Sequence, residues 1–300
     1  MFEMKRAGLR AALATVALTA TAQAQAPAQP AAPPPYATTK VEGTDNVYIF
    51  RYGGHQSMFV VTKAGVIATD PIGERRPAAK AYIEEIQKIT KAPIKYVIYS
   101  HGHYDHIAGG QPFKDLGATF VAHRNAKKRI AELKPADVVV PDQVVDTDKT
   151  ITLGGTALEL HYVGRNHSDS TLVMRLPKEK IIYTVDWIPL QGVQFRGLAD
   201  TYVPDIEQGL TKVIAMDWDK LIPGHPGPGG RQTGTKEDVK NDLAYLQDLS
   251  AAVKKAVDEG KSVADAQKEI KLPKYESWGN YGPFLPMNIE RYYDFWNRGI

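Results

Sequence analysis

Three imidazoles and a carboxylate fall within six residues, His101-Gly102-His103-Tyr104-Asp105-His106, directly behind an apolar stretch at 96–99 of the buried-strand type. In a helix His101 and His103 would point to nearly opposite sides, so a shared target for their rings requires a loop at the end of that strand. Gly102 inside the loop and Gly109-Gly110 behind it permit the tight path. Neutral imidazole nitrogen and carboxylate oxygen are good zinc donors. Four such groups so close would repel or go unsatisfied without a cation to organise them.

The flanking segments read as the scaffold for that loop. Residues 46–51, 57–62 and 65–70 have strand-like composition and predict a meander of short antiparallel strands. Across 77–90, Ala79, Tyr82, Ile83, Ile86 and Ile89 recur at helical spacing and stop before Pro93. Strand and helix alternate again at 119–122 and 126–133. The second half repeats the order, with strands at 151–153, 157–163, 171–176 and 181–186, a helix over 206–216, a short strand at 221–222, and helices over 236–259 and 262–270. Two halves, each with strands first and helices after, predict two packed sheets with helices outside, an α/β (α+β) class. The halves share this order but no alignable repeat.

Residues 1–24 read as a secretory leader: Lys5, Arg6 and Arg10 are basic, 11–22 are apolar, and Ala22-Gln23-Ala24 offers small residues for cleavage after Ala24, with Ala26 as the alternative. The apolar run is too short to cross a bilayer, and no later segment reaches about 18 uninterrupted apolar residues. Residues 25–35 are almost entirely Ala, Pro and Gln and read as an extended tether, with the folded unit beginning near Tyr36 and running to 300. The expected location is periplasmic or secreted. Oxidising compartments permit disulfides, yet the chain has no Cys, so thiolate ligands and cysteine nucleophiles are excluded. The formal charge of +3 falls to +1 without the leader, which speaks against a nucleic-acid surface.

HxHxDH, as His101, His103, Asp105 and His106, resembles the signature of the metallo-β-lactamase superfamily. Further stretches resemble the family's remaining motifs in the same order: Gly164-Arg165-Asn166-His167-Ser168 the segment of its third histidine, Ile182-Tyr183-Thr184-Val185-Asp186 the strand ending in its bridging carboxylate, and Ile222-Pro223-Gly224-His225-Pro226 its final histidine motif. Val185 stands where the family commonly has Gly. Asp70 matches an early Asp expected to stand behind the ligands. The resemblance implies a four-layer αββα sandwich with a C-terminal helical extension, and a pair of zinc ions. His101, His103 and His167 would hold one; Asp105, His106 and His225 would hold the other; Asp186 and a water or hydroxide would bridge them.

Two zinc ions, Asp105, Asp186 and a bridging hydroxide sum to a formal +1 in a pocket without other obvious acids, which favours a small carboxylate-bearing or oxyanion-forming substrate. Zinc lowers the pKa of bound water to about 7, so the expected reaction is hydrolysis of an ester, thioester, lactone or amide, with Asp105 as proton shuttle. β-Lactams stay among the substrates without leading them, because true β-lactamases of this fold often carry Cys or Ser where this chain has Asp186. Trp187, straight after that Asp, is expected to meet substrate. Tyr104 could offer a hydroxyl, and His55, in the Gly53-Gly54-His55-Gln56 turn, edges the pocket by family position, although a solvated loop histidine is the simpler reading. His123 and His161 read as structural, and the aromatic-rich 275–296 stretch as packing over the core. The same donors suit iron, so an iron oxidoreductase is the alternative, followed by a binding protein that merely retains metal.

Overall fold

A computed structural model describes residues 35–74 and 77–299. The leader expected over 1–24 and all but Pro35 of the tether expected over 25–35 lie outside the described residues.

Strands β1 (Tyr36–Lys40), β2 (Val47–Tyr52), β3 (His55–Thr62) and β4 (Gly65–Thr69) form an antiparallel meander, and β5 (Ile94–Ile98), β6 (Thr119–His123) and β7 (Gln143–Val145) extend it in parallel into a seven-stranded sheet in sequence order. A five-stranded sheet follows, ordered β12-β11-β10-β9-β8, from β8 (Asp148–Leu153), β9 (Thr156–His161), β10 (Val173–Leu176), β11 (Ile181–Thr184) and β12 (Lys220–Pro223). The period of two decides which face each side chain serves. In β4, Val66 and Ala68 point to the outer face while Ile67 points inward; in β11, Ile182 points outward while Ile181 and Tyr183 point inward.

Three apolar layers result. Val60, Ile67, Ile98, Leu160, Met174 and Tyr183 join the two sheets. Outside the first sheet pack α1 (Ala78–Ile89), the short α2 (Tyr104–Ile107) and α3 (Gln111–Asp115), and α4 (Arg124–Leu133). The ring of Tyr82 in α1 stacks on Phe50 at 4.3 Å, and its hydroxyl donates to Met58 O. Outside the second sheet pack α5 (Val203–Ala215), α6 (Lys236–Asp258), α7 (Val263–Glu269) and α8 (Tyr281–Arg298). The order helix, sheet, sheet, helix is the αββα sandwich. No helix among the described residues is long and apolar enough to cross a membrane.

Two elements depart from the sequence reading. Strand β1 adds an edge that composition alone did not mark, and the aromatic stretch near the C-terminus is a helix, with Leu285, Asn288, Ile289 and Tyr292 buried at i, i+3, i+4 and i+7 spacing. Pro286 lies inside that helix, where proline removes one ladder bond.

Candidate metal centre

The site lies where strands of both sheets end. After β5, buried Tyr99 and Ser100 continue to His101, and Asp70, at the end of β4, fixes the turn: its Oδ1 accepts Ser100 N (2.8 Å) and its Oδ2 accepts the Tyr183 hydroxyl (3.0 Å). Ile72 N donates to His106 O at 2.7 Å and Gly73 N to Ala108 O at 2.9 Å. The expected loop is therefore only half a loop. His101 and Gly102 are irregular and His103 caps a single helical turn, so Asp105 and His106 are presented by α2. From the second sheet, His167 comes from the link between β9 and β10, and Asp186 and His225 leave β11 and β12, neighbouring parallel strands in which Thr184 pairs with Pro223. Asp186 turns there with φ +74, a left-handed conformation that few residues other than Gly adopt cheaply.

All seven expected donors meet. One group comprises His101, His103, His167 and Asp186, the other His55, Asp105, His106 and His225, and within each the potential ligand atoms lie within 4.8 Å of one another. In the first, His103 Nδ1 is 2.9 Å from His167 Nε2, and Asp186 Oδ2 is 3.5 Å from His101 Nε2 and 3.4 Å from His167 Nε2. In the second, Asp105 Oδ2 is 3.5 Å from His106 Nε2 and 3.2 Å from His55 Nε2. Asp186 reaches both, with Oδ2 3.2 Å from His106 Nε2 and Oδ1 2.9 Å from His225 Nε2. Bonds of about 2.0–2.1 Å around a tetrahedral zinc place neighbouring donor atoms about 3.3 Å apart, which is the spacing seen here. Buried His101 Nε2, His106 Nε2 and Asp186 Oδ1 make no well-angled hydrogen bond despite this closeness. Buried polar atoms without such bonds are costly, and a shared cation would satisfy all three. The residues fit a metal pair.

Electrostatics agree. Burial, reinforced by the neighbouring imidazoles, holds His101 well below the usual histidine range and His167 down at about 4, so both carry free lone pairs at neutral pH. Burial would also lower His106, but the Asp186, Asp105 and Asp70 carboxylates outweigh it and push it up to about 9. Burial would raise Asp105 and Asp186; hydrogen bonding from His55 and the charge of His106 overcome it for the first, and the close-lying His106 and His225 for the second, so both are held well down.

The other expected residues divide. Trp187 is a correction: it is fully buried, its Nε1 donates to Thr184 Oγ1 at 2.5 Å, and its ring packs against Gly209 of α5, because the left-handed turn at Asp186 sends the next side chain into the core. Tyr104 is half-buried and packs partly on the core beneath the first sheet. His55 is no solvated histidine; its ring lies 4.5 Å from that of His225 and 5.0 Å from that of His106. His123 accepts from Asn125 N at Nδ1 and donates from Nε2 to Asp146 O, and His161 contacts Asp148 and Glu159, both away from the centre. Asp200 was not singled out in the sequence, yet its Oδ2 lies 2.9 Å from His103 Nε2. The absence of further acids therefore fails as a premise, and counting Asp200 cancels the formal +1 expected of the pocket. An exposed Asp in a link between β11 and α5 carries no local signal of this role.

The chain is 24% identical over 197 residues to the 2,4-dinitroanisole O-demethylase subunit alpha of Nocardioides sp. (strain JS1661), covering 64% of this chain and 58% of that protein. It is 26% identical over 149 residues to a metallo-beta-lactamase type 2 of Elizabethkingia meningoseptica, covering 46% and 57%. The matched region thus spans less than two thirds of either relative. Among solved structures, a stereoselective inverting sec-alkylsulfatase from Pseudomonas sp. superposes with a TM-score of 0.70 at 16% identity, over 84% of this chain and 49% of that one, a likeness of fold alone. The metallo-beta-lactamase superfamily model matches residues 51–229, more than half of the 300. With that match laid over the αββα layers and the converging His and Asp side chains, the chain belongs to the metallo-beta-lactamase superfamily.

Proposed function

We propose that this protein is a di-zinc hydrolase that opens an ester, lactone, thioester or amide bond of a small molecule, and that it works after export. The observation that carries the reading is the convergence of His101, His103, His167, Asp105, His106, His225 and Asp186, from both sheets, at donor spacings a tetrahedral metal requires. Bound there, two zinc ions would bring the pKa of water to about 7 and polarise a carbonyl oxygen.

The chain's own residues do the rest. Asp186, with Oδ2 facing His101 and His167 of one donor group and His106 of the other and with Oδ1 facing His225, spans the two halves of the centre. Asp105 is a carboxylate at neutral pH and more than a third of its side chain is exposed, so its Oδ2 can take a proton and pass it to a departing atom. His55, 3.2 Å from that oxygen, fixes its direction. Because Asp200 cancels the expected positive charge, an anionic substrate is not required by the site. Export is supported by the basic, apolar and small-residue order of residues 5–24.

The test is a metal count on protein purified without added metal, followed by a panel of p-nitrophenyl esters, lactones, thioesters, a chromogenic β-lactam and, because of the demethylase relative, an aryl methyl ether. Two zinc ions per chain and turnover abolished by chelation and restored by zinc are expected. One iron and no zinc would favour the iron oxidoreductase instead, and silence across the panel with zinc fully loaded would leave a metal-retaining binding protein. Asp186→Ala should lose at least one metal and most turnover; retention of both with normal rates would remove it from the bridging role.

A further inference from the structure

The second donor group holds one side chain more than the superfamily pattern supplies. We propose that His55 is a further protein donor to the second metal, beside Asp105, His106, His225 and the shared Asp186, an inference that rests on the metallo-hydrolase reading above.

The placement of His55 is built rather than incidental. It opens β3 immediately after the Gly53-Gly54 turn, and the residues on either side of it are bonded to the segment that carries His225. Gly54 O accepts from His225 Nδ1 at 2.6 Å. Gln56 N donates to Gly224 O at 2.7 Å, and its buried Nε2 donates to Pro223 O (3.0 Å) and Gln232 O (3.1 Å). The hairpin therefore travels with His225, and the imidazole between the two anchors can only sit against the same group of donors. The bond from Nδ1 to Gly54 O also fixes the tautomer of His225, leaving Nε2 as the nitrogen with a lone pair on the metal side.

The distances suit ligation. His55 Nε2 lies 3.2 Å from Asp105 Oδ2, close to the tetrahedral edge of about 3.3 Å, and its ligand atom lies within 4.8 Å of those of all three partners. A hydrogen bond to Asp105 would give the same single distance, so the contact alone does not separate a ligand from a neighbour. The two ring contacts do bear on it. A histidine that only steered Asp105 would have no need to bring its ring to 4.5 Å from His225 and 5.0 Å from His106, whose own rings lie 5.2 Å apart, so that the three close a triangle.

With Asp186 shared, four protein donors face the first metal and five the second; a site filled by protein donors resembles a structural zinc site, whereas a site with three keeps an open position. The two halves of the centre then differ in kind: the His55 half retains its metal, and the His101 half, where Asp186 is the shared fourth donor, exchanges more readily.

The experiment is stepwise zinc removal from the full chain by graded chelator, read by metal counting and, after cobalt substitution, by the visible spectrum. Wild type should give up one ion early and hold the other. In His55→Gln, which keeps a side-chain donor toward Asp105 but no imidazole, the late ion should leave at roughly tenfold lower chelator or less, with an altered cobalt spectrum, and His55→Phe should behave alike. Far-UV circular dichroism of the metal-free variants separates a folding failure from a lost ligand. Late release and a cobalt spectrum unchanged in His55→Gln would overturn the proposal while leaving the di-zinc reading intact. A wild type that binds no metal would overturn both.

Discussion

His103 shows how much of this centre is decided by single contacts. Its Nδ1 lies 2.9 Å from His167 Nε2 and its Nε2 lies 2.9 Å from Asp200 Oδ2, so the carboxylate favours the tautomer with its hydrogen on Nε2 and leaves the Nδ1 lone pair aimed at the centre. Outer carboxylates of this type orient metal-binding imidazoles, and their loss typically costs about 10–100-fold in metal affinity. Asp200→Asn should therefore weaken the early-released ion by that order while leaving the fold untouched, because the Asp200 side chain is 55% exposed. Titration with a competing chelator measures it; equal affinities in variant and wild type would make the contact incidental. Residues of this kind mark the limit of reading a sequence. His101, His103, Asp105 and His106 were legible because imidazoles and carboxylates in unusual density at a strand end have few other uses, and His167, Asp186 and His225 through the resemblance of their segments to the family's motifs. Asp200 was not, and His55 was placed only at the pocket's edge, since one polar residue in a turn acquires its partner only from the path of the whole chain. Trp187 was misread because adjacency to Asp186 in sequence says nothing about direction once the backbone turns left-handed between them.

At the scale of elements, the segment between β11 and α5 is held by helices from the C-terminal part of the chain. Gln194 Nε2 donates to Trp187 O and to both oxygens of Asp242 in α6, and Asn288 of α8 donates from Nδ2 to Gln194 O while its Oδ1 accepts from Gly197 N. Helix α8 thus pins the segment that carries Asp200. It escaped the sequence reading because Pro283 and Pro286 mask a period that becomes plain only in its buried residues, whereas α6, free of proline, showed its stripe of Val239, Leu246, Leu249 and Val253 directly. Asp242 sits inside that stripe, wholly buried, and burial raises its carboxyl well above the ordinary value of 3.8 against the opposing bonds from Gln194. The folded protein then binds this proton more tightly than the unfolded chain, so the contribution is fully present below about pH 3.8 and is lost as pH climbs toward the folded value. Over that window the slope reaches at most about 1.4 kcal/mol per pH unit. Asp242→Asn lacks the slope, so its stability relative to wild type should improve from pH 5 to pH 8. Denaturant melts at both values measure this, and parallel pH profiles for the two proteins would show that Asp242 titrates alike in folded and unfolded chains.

For the molecule as a whole, the centre is where two sheets are joined by polar chemistry rather than by packing. His55, His101, His103, Asp105 and His106 come from the first sheet; His167, Asp186 and His225 come from the second. Behind them the interface is apolar, and backbone bonds from Leu172 N to Ser100 O and from Gln56 N to Gly224 O cross it at the site's edge. No disulfide can take over that task, since the chain has no Cys. Without a cation, His106 at about 9 holds a proton among three carboxylates at neutral pH, and a divalent ion must displace it, so metal binding should release protons and weaken as pH falls below that value. A ligand that binds only the folded form adds about 4 kcal/mol at a free concentration 1,000-fold above its Kd. At roughly 2–4 °C per kcal/mol for a domain of this class, zinc should raise the melting temperature by on the order of 10 °C over chelated protein. The three apolar layers do not depend on the ion, so chelation should leave the far-UV spectrum intact while altering the near-UV signal of the rings around the centre. Melting curves that coincide with and without zinc would mean that the ion, wherever it binds, does not tie one sheet to the other; complete loss of secondary structure on chelation would mean that the apolar layers cannot stand without it.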